Sequence, residues 1–322
     1  MLRRALLASP MLTAMPAPTF AQSWAPTRPI RMIVPFVAGG STDVAARIVA
    51  EPMGERLGQP VIVENRGGSG GNIGGEMVAR AAPDGHTLLM GVTGLLSTNM
   101  HIYRSMSFSP ARDLAPVGMA YTSDMVIVVP PSLPVRDLAE FIALAKARPG
   151  QLSFGSSGHG ASTHTAAELF RLAAGVEMLH VPYRGSGGAM ADLMSGTIQM
   201  MLVQIAATVG AVREQRLRAL AATGPRRHPL MPDVPTLAEQ GYPQATATSW
   251  GAVMTTAGTP PAAITRLSEA LGAALASPPV IQRMASAGVD PEASTAEELG
   301  LFIARESEKW GRVVREARIT VE

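Results

Sequence analysis

The stretch from Ile30 to Arg47 constrains the fold more than any other part of the chain, because it joins a buried strand to a helix through glycines. An apolar run that ends at Pro35 predicts a short strand. The following loop, Ala38–Gly40, has no bulky side chain, so a ligand can approach its backbone closely. Ser41 or Thr42 is then expected to cap a helix. Unpaired N–H groups at such a helix start form an anion site made of backbone, without Lys or Arg.

The first 21 residues differ from the rest of the chain. Arg3 and Arg4 precede a short apolar run from Ala5 to Met15, and small residues end the segment at Ala21. This pattern predicts a secretory signal peptide over residues 1–21. The arginine pair leaves open whether export uses the general or the twin-arginine route.

Bulk composition narrows the class of protein. The 322 residues fit two lobes better than one core, and an apolar content of 47% is typical of a globular chain. The signal segment carries two of the 27 basic residues and none of the 25 acidic ones, so the remainder is formally neutral and favours no nucleic acid or membrane surface as a partner. No cysteine is present, which excludes disulfides and thiol chemistry.

A second junction of the same kind follows further along the chain. Leu152 to Phe154 predicts a strand, Gly155–Gly158 is a loop of small residues, and a helix opens near Ser162. Serial strand–helix units predict a parallel sheet, whose ligands collect beyond the carboxyl ends of the strands. Facing each other across a cleft, the two junctions would hold one small anion from two sides.

We therefore expect an α/β protein with two lobes, a central cleft and two chain crossings. Lobe 1 is expected to contain residues 22–122 and 223–322, and lobe 2 to contain residues 123–222. The helical tail assigned to lobe 1 ends on an amphipathic helix, for which Thr295 and Glu298 predict a capping box.

Three of the candidate side chains each have structural interpretations that compete with ligand contact. Asp43 lies in a first helical turn, four residues before Arg47, so a dipole and ion-pair role competes with ligand contact. His164 could donate to a ligand or pack as a neutral imidazole bonded to backbone. Arg184 could pair with a carboxylate, cap a helix or face solvent.

Enzyme and metal signatures are weak. Gly67–Gly71 formally satisfies the G-x-S-x-G nucleophile pattern around Ser69, but Glu64 to Arg66 separate it from the preceding strand, where a nucleophile elbow has no spacer. The six histidines show no H-E-x-x-H spacing, and no P-loop is present. We expect no catalytic residue, no metal and no cofactor.

The chain resembles the substrate-binding proteins of tripartite tricarboxylate transporters, the Bug or TctC-like family. The resemblance runs from about residue 28 to the end, in order and at family spacing. It is carried by Arg28-Pro-Ile-Arg31, Val34-Pro-Phe-Val-Ala-Gly-Gly40, Gly58-Gln-Pro-Val-Ile-Val-Glu-Asn-Arg66, Ala82-Pro-Asp-Gly-His-Thr-Leu-Leu89, Gly155-Ser-Ser-Gly158 with His164, His180-Val-Pro-Tyr-Arg-Gly185, Pro232-Asp-Val-Pro-Thr236 and Trp310-Gly-Arg-Val-Val314.

The resemblance implies a type II, Venus-flytrap periplasmic binding protein. Such a protein captures a small organic carboxylate, a di- or tricarboxylate or an aromatic acid, and hands it to inner-membrane permease subunits, or alternatively to a sensor kinase. A monomer is expected, and a serine hydrolase is the weaker alternative. Val203 stands where the family often has Asp, which weakens the case for an amino-acid ligand.

The candidate ligand-binding residues come from the loops and the resemblance together. They are Phe36, Ala38, Gly39, Gly40, Ser41, Asp43, Thr93, Gly94, Ser156, Ser157, Gly158, Ser162, His164, Tyr183, Arg184, Gly185 and Gln204.

Overall fold

A computed structural model describes residues 24–183 and 185–320. The expected signal peptide over residues 1–21 lies outside the described residues, as does Arg184. The strands are β1 (Ile30–Val34), β2 (Val61–Asn65), β3 (Thr87–Val92), β4 (Leu114–Val129), β5 (Ser153–Ser156), β6 (Leu179–Pro182), β7 (Met200–Gln204), β8 (Arg218–Ala222), β9 (Thr248–Thr256) and β10 (Asp290–Pro291).

The helices connect these strands and cover them. They are α1 (Ser41–Leu57), α2 (Asn72–Ala79), α3 (Asn99–Ile102), α4 (Pro110–Asp113), α5 (Leu138–Ala147), α6 (Ser162–Ala174), α7 (Ser186–Ser195), α8 (Ile205–Arg213), α9 (Pro261–Leu275), α10 (Pro278–Ser286) and α11 (Ala296–Glu316). In the part of the chain that the structure describes, no helix combines the length and apolarity that a bilayer crossing requires.

The strands form two groups that share β4. The first group has the order β2-β1-β3-β9-β4, in which β1 is parallel to β2 and β3, whereas β9 is antiparallel to both β3 and β4. In the second group, β4 is antiparallel to β7 and β8, and β7, β5 and β6 run parallel. The α/β class and the parallel start of each group are confirmed, and the antiparallel β4 and β9 make the sheet mixed.

Strand β4 is the first chain crossing between the groups. The sequence has two apolar runs here, Val117–Tyr121 and Met125–Val129, and the structure joins them in one strand of 16 residues. Pairing continues through the polar segment between the runs, with Thr122 opposite Trp250 and Asp124 opposite Thr248. A strand is held by hydrogen bonds to its neighbours and does not need a continuous run of apolar residues. The polar residues 122–124 therefore do not interrupt β4. The segment between β8 and β9 forms the second crossing.

Apolar packing differs on the two sides of the crossing. In the second group, alternation along β4 sends Ile127 into a cluster with Phe154 and Phe170, and Val128 into a separate cluster with Leu193. In the first group, β1 and α1 pack with α9 in a further cluster. Each strand group therefore has its own core, as separately folded lobes need.

Helix α11 contacts both groups. Its capping box at Thr295 and Glu298 is confirmed. Leu299 packs in a cluster with first-group residues, whereas Trp310 and Val313 pack in the cluster that contains Phe170 of α6. The lobe limits inferred above stay a proposal, and within them α11 is a further link between the lobes. An amphipathic pattern reports that a face is buried but not against which partner.

Candidate ligand site between the strand groups

A cavity of about 340 Å³ lies between the two strand groups, beyond the carboxyl ends of β1, β3 and β5. Its first-group wall consists of Phe36, Gly70, Val92, Thr93, Gly94, Asn99, Tyr103 and Ser249, and its second-group wall of Ser157, Gly158, His159, Gly160, Ala161 and Ser162. Ligands of open α/β sheets bind in this position. Six of the candidate residues line it: Phe36, Thr93, Gly94, Ser157, Gly158 and Ser162.

The loop between β5 and α6 forms the second-group wall. Helix α6 begins at Ser162 without a side-chain cap. Within residues 24–183 and 185–320, no hydrogen bond satisfies the N–H groups of Ser162 and Thr163. Gly158 and Gly160 have φ values of +140° and +72°, which favour glycine. The wall therefore offers free amide donors at a helix start, the arrangement that suits an anion.

Ser156 is buried and supports this loop from within. Its hydroxyl lies 2.7 Å from Nε2 of His180, accepts a hydrogen bond from the N–H of Gly158 and is 3.1 Å from the carbonyl oxygen of Gly158. Thr163, which the sequence did not single out, accepts from the N–H of Ser157 at 2.9 Å. Ser156 thus contacts the protein and does not line the cavity.

The loop before α1 is only partly in the cavity. Phe36 lines it, but Ala38, Gly39, Gly40 and Ser41 are exposed and are absent from its walls. The expected cap is wrong: Gly40 is the N-cap, without a side-chain hydrogen bond. Thr42 instead lies 3.1 Å from the hydroxyl of Tyr121. The hydroxyl of Thr42 therefore bonds to a residue distant in sequence and does not cap the helix.

Asp43 fixes the same loop from behind. Its carboxylate is buried and accepts hydrogen bonds from the N–H of Gly39 at 2.9 Å, from Asn65 at 2.9 Å and from Arg47 at 3.1 Å. Burial by itself raises the pKa of Asp43, but the hydrogen bonds from Arg47, Gly39 and Asn65 outweigh it and lower that pKa below its ordinary value. The Gly39 amide is therefore occupied, which corrects the expectation of a free donor there.

His164 adopts the packed interpretation. Its Nδ1 accepts from the N–H of Gly160 at 3.1 Å, and its ring stacks on His180 with centroids 3.7 Å apart and planes at 9°. Burial and the positive charge that His180 and His159 can carry lower the pKa of His164 to about 3. Burial, followed by the charge of His159, lowers the pKa of His180 to about 4. Both imidazoles are therefore neutral at pH 7.

His159, His164 and His180 also have the proximity of a metal-ligand trio. One nitrogen from each lies within 4.8 Å of the others. The parallel rings of His164 and His180 nevertheless direct their in-plane lone pairs side by side, and both rings already hydrogen-bond to Gly160 and Ser156. A tetrahedral site needs lone pairs that converge on one point. We interpret the cluster as packed imidazoles with His159 at its exposed edge.

The first-group wall is held by polar side chains. Thr93 accepts from the N–H of Trp250 at 2.9 Å, which joins the end of β3 to β9. Asn99 donates to the carbonyl oxygen of Gly70 at 3.1 Å and so fixes the glycine-rich loop. A Cβ at Gly70 would lie 2.8 Å from the hydroxyl of Tyr103, so this close approach requires glycine. Gly70 is the residue of the run Gly67–Gly71 that lines the cavity.

The remaining candidates lie near the second-group wall without lining the cavity. The hydroxyl of Tyr183 donates to Asp192 at 2.6 Å; burial, together with this hydrogen bond and the charge of Asp192, raises the pKa of Tyr183 to about 12. Gly185 donates its N–H to Ser157 at 3.1 Å. Gln204 ends β7, opposite Met125. Arg184 lies outside the described residues.

Several wall residues were not among the candidates. They are Gly70, Val92, Asn99, Tyr103, His159, Gly160, Ala161 and Ser249. His159 had a usable signal, because it lies between two glycines in the predicted ligand loop. Asn99, Tyr103 and Ser249 lie outside the predicted loops, so only tertiary packing brings them to the cleft.

Comparison with known proteins agrees with this architecture. Residues 45–319 match the family model described as tripartite tricarboxylate transporter family receptor, TctC. Protein BugT of Bordetella pertussis is 40% identical over 301 residues, which cover 93% of this chain and 92% of BugT.

Two solved structures have the same fold. The structure of R. palustris Rpa4515 with adipate is 33% identical, with a TM-score of 0.80 over 92% of this chain and 99% of that one. MatC from Rhodopseudomonas palustris with bound malate is 30% identical, with a TM-score of 0.77 over 90% of this chain and 99% of the MatC chain. The expected two-lobe binding-protein fold is thereby confirmed, and the chain belongs to the TctC family of tripartite tricarboxylate transporter receptors.

Proposed function

We propose that the protein is a periplasmic solute-binding protein that captures a small organic carboxylate and presents it to the permease of a tripartite tricarboxylate-type transporter, without chemical change. The observation that carries the proposal is the cavity at the start of α6, where free amides meet a wall from the other strand group. Family membership and the adipate and malate bound to similar proteins support the ligand class. Export through the expected signal peptide belongs to the same proposal.

Backbone amides suit this task. The N–H groups of Ser162 and Thr163 carry the partial positive charge of the α6 start. Among the described residues, no Asp or Glu lines the cavity, so a bound carboxylate meets no repulsive charge there. Capture requires no charged clamp if water is displaced when the walls approach each other.

The positions of the two walls favour closure of the cleft on a bound ligand. Gly94 of the first group and Gly160 of the second approach closely, since a Cβ added at Gly94 would lie 4.0 Å from the carbonyl oxygen of Gly160. A ligand that contacts both walls has more contacts in the shut state than in an open one, and this difference shifts the population toward closure.

Calorimetry of residues 22–322 tests the proposal with adipate, malate, citrate and benzoate, each beside its uncharged amide, and with glutamate beside its diamide. We expect saturable binding of at least one carboxylate and none of its amide. A failure of every carboxylate to bind, or equal affinity for acid and amide, contradicts the proposal.

Filling the cleft tests its location. Gly94→Val introduces bulk between the walls where the nearest atoms, Asn99 Oδ1 and Gly160 O, are 3.8 and 4.0 Å from a Cβ. We expect binding to weaken by at least about tenfold, because part of the ligand volume is lost. Gly210→Val, in α8 with nothing within 4 Å of its Cβ, is the matched control and should bind normally. Equal binding by both variants places the ligand elsewhere.

A further inference from the structure

The cavity is almost without charged side chains. Among the wall residues in the described part of the chain, His159 is the one Arg, Lys or His side chain, and it is exposed. The other polar wall groups are hydroxyls, an amide side chain and backbone. Beyond the backbone amides of the α6 start, His159 is therefore the one group of these described walls that can add a full positive charge.

The loop holds His159 in place. Gly158 and Gly160 on either side have left-handed φ values, and a Cβ at Gly160 would lie 3.0 Å from Cδ1 of Ile102 on the first group. The imidazole of His159 stands nearly perpendicular to the rings of His164 and His180, at 85° and 89°. The edge contacts with these two rings and the glycines on either side thus orient His159, and a group that selects ligands needs a defined orientation.

His159 differs from the other two imidazoles of the cluster in its exposure, since His164 is buried and His180 is half-buried. Burial lowers the pKa of His164 to about 3 and of His180 to about 4, with the charge of neighbouring imidazoles as a further cause. In this neutral state, His164 accepts a hydrogen bond from the N–H of Gly160, and His180 hydrogen-bonds to the hydroxyl of Ser156. His159 is consequently the ring of the cluster that lies open to the cavity and to a carboxylate of the ligand.

A second carboxylate on the ligand needs a partner of its own in the cleft. The amides at the α6 start can satisfy one carboxylate, but another one moved out of water requires its own donor. A protonated imidazole supplies a charge-assisted hydrogen bond, which is stronger than a neutral one. Uncharged hydroxyls on the opposite wall do not compensate a full negative charge to the same extent.

We propose that His159 is the specificity-determining residue of the cleft and that it makes the site prefer dicarboxylates to monocarboxylates. This inference rests on the proposed carboxylate-binding function. It adds the class of ligand that the cleft selects.

Calorimetry on residues 22–322 with adipate and its monomethyl ester, and with malate and its half-amide, tests the inference. We expect the wild type to prefer each diacid. His159→Gln should weaken diacid binding roughly 10- to 100-fold and half-ester binding by less than about threefold, because a hydrogen bond to a charged group is lost only for the diacid. His159→Lys supplies a positive charge at the same position and should keep the preference.

Two controls complete the design. His228→Gln removes a histidine that pairs with Asp290 away from this cavity, and it should change neither affinity. Arg184→Gln examines the other basic residue of the predicted ligand loops. The inference is overturned if the wild type binds half-esters as tightly as diacids, if His159→Gln affects both alike, or if Arg184→Gln alone removes the preference. If no carboxylate binds, the proposed function itself fails.

Discussion

Asp43 illustrates how one side chain can shape a ligand loop without facing the ligand. Its carboxylate accepts hydrogen bonds from the backbone N–H of Gly39 and from the side chains of Asn65 and Arg47 at the same time. At the opposite junction, Ser156 and Thr163 hold the loop in the same manner. Residues of this kind resemble binding residues in sequence because they occur in the same loops, yet they act on the backbone that the ligand meets.

Asp43→Asn tests this role through pH. The pKa of Asp43 is lowered in the folded state, so its stabilisation is fully present above the unfolded value near 3.8 and is lost as pH falls through the folded value. We expect the variant to lose about 1–3 kcal/mol of unfolding free energy at pH 7. Urea denaturation at pH 7 and pH 3 measures the difference, which should shrink at pH 3. A difference that is the same at both pH values contradicts the assignment.

At the scale of elements, the two strand–loop–helix junctions differ in accessibility. Both helices begin without a side-chain cap, α1 after Gly40 and α6 after Ala161. Only the α6 loop enters the cavity with several residues, because its glycines let it lie against Ile102 of the first group. The α1 loop stays exposed, and only Phe36 reaches the cleft.

Gly160→Ala tests the fit of the α6 loop. The φ of +72° and the 3.0 Å approach to Ile102 both oppose a side chain. We expect a loss of about 1–2 kcal/mol in the free energy of unfolding, since a left-handed alanine is strained. Gly187→Ala in α7, with an open surrounding and no left-handed φ, should be neutral or slightly stabilising. Chemical denaturation compares the two variants, and equal stabilities contradict the expectation.

At the scale of the whole molecule, three segments connect the two strand groups. Strand β4 crosses between the groups, the chain returns before β9, and α11 packs on both. Glu306 on α11 accepts hydrogen bonds from Trp250 in β9 at 3.2 Å and from Trp310 at 2.8 Å. Helix α11 thus joins the centre of the first group to the core of the second, and any hinge motion must accommodate it.

Trp310→Ala tests the link through α11. Trp310 is 1% exposed and packs in the second-group core, so its removal leaves a cavity and takes away one of the hydrogen bonds that Glu306 accepts. We expect the unfolding free energy to fall by about 3–5 kcal/mol. Leu301→Ala on the same helix, 58% exposed, should change it by less than about 0.5 kcal/mol. Similar melting curves for the two variants show that α11 does not stabilise the second core.

The sequence by itself determined the local elements: the strands before both glycine loops, the helices after them, the parallel start of each sheet and the capping box of α11. These depend on periodicity and on chemistry between near neighbours, which a chain carries in its order. Tertiary structure alone decided that β4 is one strand, that Asp43 occupies the Gly39 amide, and that Asn99, Tyr103 and Ser249 meet His159 across a cleft. Those outcomes depend on which distant groups compete for the same donors and the same space, and no local pattern encodes that competition.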